Sequence, residues 1–143
     1  MKNKITSLYV YAEQHHIDID FISTSHTKSM SIILPDGETS ILVNPRKMDS
    51  TATEVVSVAH ELGHCVTGSF YNLYSKYDIR KKHENMADKW AIMHLVPQDK
   101  LEHAVKTGHT EIWDLAEEFC VTEDFMRKAV CWYKNGNLDV DTC

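Results

Sequence analysis

The chain of 143 residues carries 15 Lys and Arg against 21 Asp and Glu, a formal net charge of −6, with 43% hydrophobic residues. That length suits one compact domain, 1–143, and the acidic balance argues against a general binder of nucleic acid or of acidic membranes. No apolar run approaches ~18 residues, and Met1-Lys2-Asn3-Lys4 leads into a mixed segment unlike a signal peptide, so a soluble, cytoplasmic chain without a membrane partner is expected.

In chain order, Ile5, Leu8, Tyr9 and Ala12 recur at helical spacing and predict an opening amphipathic helix to about His15. The neighbouring His15-His16 diverge on a helix and read as surface histidines. Three short extended pieces follow: Ile17 to Ile22, Ser29 to Leu34, and Thr39 to Asn44 with its Ile41-Leu42-Val43. Pro35-Asp36-Gly37-Glu38 is a turn sequence, making 29–44 a hairpin in a small antiparallel sheet. Asn44-Pro45 ends the sheet. Thr51 with Glu54 three residues on forms a capping-box pattern for a helix from Thr51 to Thr67, which Gly68 would stop.

Inside that helix stands His60-Glu61-Leu62-Gly63-His64, which fits the HExxH pattern of zinc-dependent hydrolases. Residues four apart differ by about 40° around a helix and 6 Å along it, so His60 and His64 can address one ion. Glu61, about 100° round, stays off the ion but within reach of a water there, where a general base is needed. Val55, Val58, Ala59, Leu62 and Val66 share an apolar face. His60 and His64 lie opposite with the small Thr53, Ser57 and Thr67, which predicts an open face. A surface pair of histidines is the blander account of the same residues.

Catalytic zinc usually takes three protein ligands and a water. A helix over Asp78 to Val96 would carry Glu84-Asn85-Met86-Ala87-Asp88, with Glu84, Ala87, Asp88, Ala91 and Leu95 on one face. The alanines would let it approach the metal helix, Glu84 would supply the third ligand, and Asp88 would bond the outer ring nitrogen of a ligating histidine. His83 competes with Glu84 for the ligand role. In the connection, Tyr71, Tyr74 and Tyr77 are read as packing, with a phenolic donor to a reacting oxygen as the alternative. Arg80-Lys81-Lys82 is read as a solvated helix start, with the steering of an acidic partner as its alternative.

Pro97 suits the first turn of a helix to about Lys106, Thr110 a cap for one to Phe119, and Thr122 a cap for one to about Tyr133, ended by Gly136. The last two imitate a helix-turn-helix DNA reader, yet residues 110–143 hold eight acidic residues against three basic ones, a balance of −5 that phosphates would repel. They read instead as a cap on the core, with Ile112, Leu115, Phe119, Phe125, Met126, Ala129 and Val130 inside. Cys65, Cys120, Cys131 and Cys143 form no CxxC pair and are expected as reduced thiols, Cys65 in the core and Cys143 idle on a tail, 137–143, without fixed structure.

HELGH, Gly68-Ser69-Phe70-Tyr71, Glu84 to Ala91 with Trp90-Ala91, Leu95-Val96-Pro97 and Leu115 to Phe119 with Val121-Thr122 together resemble the ImmA/IrrE family of small metallopeptidases, over about Ile17 to Gly136. The resemblance implies an α+β, zincin-like fold: an N-terminal helix, a small mostly antiparallel sheet, a metal-binding helix pair and a C-terminal helical cap. It implies one Zn²⁺ on His60, His64 and Glu84, Glu61 as catalytic base and Asp88 behind a histidine. It further implies a metallo-endopeptidase that cuts a partner transcriptional repressor of a prophage or mobile element. A metal-bound regulator that binds a repressor without cutting it has the same sequence features, and a DNA-binding module is the remaining alternative.

Overall fold

The computed structural model describes residues 4–23, 26–72 and 74–143, the side chain of Thr142 excepted; the first three residues, read above against a leader, lie outside them. Helix α1, Lys4–Gln14, buries Ile5, Leu8 and Ala12. Lys4 at its start donates to the carbonyls of Leu95 and Phe119, the last residues of two later helices, so one ammonium satisfies orphan acceptors at two negative helix ends.

Strands β1, Asp18–Phe21, β2, Ser29–Ile33, and β3, Thr39–Val43, form a sheet in the order β1-β3-β2. The hairpin is present, with Ser29 opposite Val43 and Ile33 opposite Thr39, and its turn uses Gly37 at φ 89°. β1, however, runs parallel to β3, so the sheet is mixed rather than wholly antiparallel. The order, with β3 in the middle, follows strand composition. Ile41-Leu42-Val43 takes the centre, where both backbone edges are paired, while β1 with Asp18 and Asp20 and β2 with Ser29 and Ser31 take the edges.

Helix α2 spans Thr51–Thr67 as expected and ends at Gly68, φ 67°. Its cap is Ser50 rather than Thr51: Ser50 accepts from the Thr53 N–H at 3.1 Å, while Glu54, the expected reciprocal partner, accepts the Tyr9 hydroxyl at 2.7 Å. Val55, Val58, Ala59 and Leu62 are buried against the sheet and α1. Val66 is 41% exposed. On the opposite face Thr53, Ser57 and His60 stay partly exposed along a cleft, as expected, while His64 deeper in it retains 4% of its surface.

Against one side of that face lies α3, Tyr77–Leu95, which packs on α2 through Ala87 and Ala91. A Cβ built on Gly63 would stand 2.5 Å from the Ala87 carbonyl oxygen, so only glycine permits the approach. Helices α4, Gln98–Lys106, α5, Ile112–Phe119, and α6, Glu123–Asn135, form the cap, and α6 reaches α3. Pro97 and Glu111 stand at the caps of α4 and α5, not inside the first turn and not Thr110. Thr122 caps α6 as expected, accepting from the Phe125 N–H at 3.2 Å. Leu115, Phe119, Phe125, Met126 and Ala129 are buried, with Ile112 and Val130 packed beside them.

The cysteines depart from expectation. Gly136, φ 75°, reverses the chain after α6, and a 3-10 turn at Val140–Thr142 brings Cys143 back to Cys131, with Cα atoms 5.8 Å apart and a disulfide between them. Residues 137–143 are therefore tied down, and Cys143 is bonded rather than idle. Cys65 is half-buried against the core, and burial pushes its thiol up to about 11.

Candidate metal centre

The two histidines of α2 lie one turn apart and face α3 with both Nε2 atoms, 3.2 Å from each other. Glu84 on α3 meets both: one carboxylate oxygen lies 2.8 Å from His60 Nε2 and the other 3.2 Å from His64 Nε2. One donor atom from each residue falls within 4.8 Å of the others, a group able to hold a metal ion. The structure thus brings together the three residues singled out from spacing. His83 is not among them; its ring lies beside Tyr71 with a buried Nδ1 that finds no partner.

The outer nitrogens are fixed from behind. His60 Nδ1 lies 2.8 Å from Asp88, one helical turn beyond Glu84, and the other oxygen of Asp88 accepts from Lys128 of α6 at 3.2 Å. His64 Nδ1 lies 2.6 Å from the Ser69 carbonyl oxygen. A carbonyl only accepts, so this nitrogen carries the proton and the His64 Nε2 lone pair is left for the centre. The backbone closes the same loop, because Gly68 turns left-handed and the N–H groups of Gly68 and Ser69 return to the His64 carbonyl.

Charge follows geometry. Burial lowers the pKa of His60, but hydrogen bonds to Asp88 and Glu84 outweigh it and push the imidazole up to about 10. Burial raises Glu84, yet bonds from His60, His64 and Tyr71 hold it well below the usual carboxylate range. Asp88 is likewise raised by burial and lowered more by His60 and Lys128. With no metal, then, a proton on His60 supplies the positive charge that two carboxylates demand. The same donor set, two imidazole nitrogens with their outer atoms already bonded and one carboxylate, suits a divalent ion of borderline softness such as zinc.

Glu61 points elsewhere, to β2. Ser29 Oγ donates to one carboxylate oxygen at 2.8 Å and Ser31 Oγ to the other at 3.2 Å. Alternate residues of a strand share a face, so one edge strand presents both hydroxyls to this buried carboxylate. Tyr71, expected as packing, is exposed and donates its hydroxyl to Glu84 at 2.6 Å, a bond that, with burial, pushes the phenol up to about 12. Tyr74 and Tyr77, also expected as packing, are 95% and 70% exposed.

A cleft of about 1060 Å³ opens over the centre. Thr27 to Ser31 form one wall, Phe70 and Tyr71 another, and Asp124, Phe125 and Lys128 of α6 the third. Thr53 and Ser57, the small residues expected on the histidine side of α2, line its floor. Sequence reading missed Ser69, Lys128, Ser29 and Ser31. Gly68, four residues after His64, was a signal for Ser69, whereas Lys128, forty residues from Asp88, gave none.

Comparison with known proteins agrees with this geometry. The family model described as Peptidase_M78, IrrE N-terminal-like domain, matches residues 12–130. No functionally curated protein matches the sequence.

Proposed function

The chain belongs to the Peptidase_M78, IrrE N-terminal-like family, and from that premise we propose that it is a zinc-dependent endopeptidase that cuts a partner transcriptional repressor of a prophage or mobile element in the cytoplasm. The observation that carries the reading is the convergence of His60 Nε2, His64 Nε2 and a Glu84 oxygen, with the far atoms of both rings already bonded. His60, His64 and Glu84 hold the ion, and Asp88 and the Ser69 carbonyl keep the rings aimed. Zinc in such a site polarises a carbonyl oxygen and lowers the pKa of a water to about 7.

Glu61 is the base: its carboxylate removes the water's proton and then delivers a proton to the leaving amine. The Ser29 and Ser31 hydroxyls donate to its two oxygens and so fix the orientation of the carboxylate. Beside it, β2 is an edge strand along the cleft wall, where an extended substrate segment can add a strand by main-chain pairing. Burial of the base and of His64 keeps bulk water from competing for their hydrogen bonds.

The test pairs wild type with Glu61→Gln, both zinc-loaded, against a co-expressed candidate repressor. Wild type is expected to cut at one site, and Glu61→Gln to keep its zinc and lose about 10²-fold or more of the rate. Undiminished cleavage by the metal-replete variant would overturn the role of Glu61. Tight repressor binding by wild type with no cut would favour the non-cleaving regulator.

A further inference from the structure

The connection between the two metal-binding helices and the first turns of α3 carries chemistry that peptide-bond cleavage leaves unused. Tyr74 and Tyr77 are 95% and 70% exposed, with Ile79 beside them at 43%. In the same stretch Lys76, Arg80, Lys81 and Lys82 are all exposed against a single acid, Asp78, a local balance of +3. Among the described residues none of these four cations enters an ion pair. Exposed aromatic rings among cations are the composition of a binding surface, since the rings bury nothing at home and the charges satisfy nothing at home.

The patch adjoins the cleft. Tyr71 lines the cleft wall, bonds Glu84 and stands close enough to Arg80 for the guanidinium to act on its phenol. Across the cleft the α6 charges that line it, Asp124 and Lys128, cancel, and Asp124 is paired with Arg127. An acidic segment is drawn instead to the start of α3, whose N-terminus no side chain caps.

We propose that residues 74–82 form a docking surface for an acidic, partly apolar segment of the protein substrate, lying next to the bond that is cut. This rests on the peptidase reading for the partner's identity as a substrate. A protein segment is favoured over a nucleic acid because Ile79, exposed beside the cations, offers an aliphatic contact that an apolar side chain covers and a phosphate backbone does not.

The experiment is fluorescence anisotropy with the full-length, zinc-loaded Glu61→Gln protein, which prevents turnover. The probes are a labelled peptide of about twenty residues rich in Glu, Asp and Leu, its Gln/Asn counterpart, and an oligothymidylate of equal charge. The acidic peptide is expected to bind, to weaken as salt rises past the concentration where screening shortens to about 8 Å, and to lose about tenfold in Lys81→Glu/Lys82→Glu. Lys134→Glu, an exposed cation on α6, should change nothing. The exposed positions leave the fold intact, which circular dichroism verifies. No binding, equal binding by the Gln/Asn peptide or the doubly reversed variant, or tighter binding of the oligothymidylate would each overturn the proposal. Wild-type cleavage of a co-expressed candidate repressor is scored separately. Peptide binding by a protein that cuts nothing leaves the surface standing and sinks the peptidase; cleavage without peptide binding sinks the surface alone.

Discussion

Asp88 shows how one side chain can serve two neighbours: one oxygen fixes His60 and the other takes Lys128, so Asp88→Asn removes the charge that both rely on. The expected result is a zinc affinity lower by about 10–100-fold with the fold retained, measured by competition with a chelator. The same charges predict how the metal-free chain responds to pH. His60, raised from 6.5 to about 10, contributes stability in full below 6.5 that is lost as pH rises towards 10. Glu84, lowered from 4.5, contributes stability above 4.5 that is lost as pH falls below it. In chelator, thermal unfolding should therefore show its maximum between about 4.5 and 6.5 as far as this site governs it, with a decline towards 10 that zinc relieves. A melting temperature that rises from 6.5 to 10 without metal would contradict the assignment. At this scale the convergence of His60, His64 and Glu84 was legible, since HELGH is local and Glu84 shares a helix face with alanines. Ser29 and Ser31 were not, because their partner lies about thirty residues away across a sheet-to-helix contact.

Between elements the decisive contact is α2 on α3, which holds a histidine pair and a carboxylate from separate helices in hydrogen-bond range. Gly63 sets that distance. In Gly63→Ala the new methyl meets backbone at Ala87, which cannot rotate away as a side chain end could, so the helices must part. A loss of about 1–3 kcal/mol in urea unfolding is expected, together with weaker zinc binding; unchanged stability would show that the helices are held apart by something else. Helix existence and most boundaries were legible from periodicity and from Gly68, Thr122 and Gly136. The cap of α2 was displaced by one residue because a distant hydroxyl, Tyr9, claimed Glu54. The open face expected for the histidines is present as the cleft floor, with α3 against one side of it.

Across the whole molecule, a mixed sheet, a pair of metal-binding helices and a helical cap are arranged so that each supplies one wall of a single cleft. The α+β class was readable from the order of periodic segments, while the parallel partner of β1 and the Cys131–Cys143 bond depend on where the chain returns after Ile22 and Gly136. No helix among the described residues is long and apolar enough to cross a membrane. Positive charge gathers at the start of α3 and negative charge over residues 110–143, which sum to −5. All of this presupposes an ion at the meeting point of α2 and α3, and elemental analysis of wild type, His60→Ala and Glu84→Ala, purified without added metal, tests it most directly. The account predicts about one zinc per wild-type chain and a loss of most of it in both variants, because three protein ligands are shared between the two helices. No metal in wild type even after zinc is supplied, or full retention in Glu84→Ala, would contradict it.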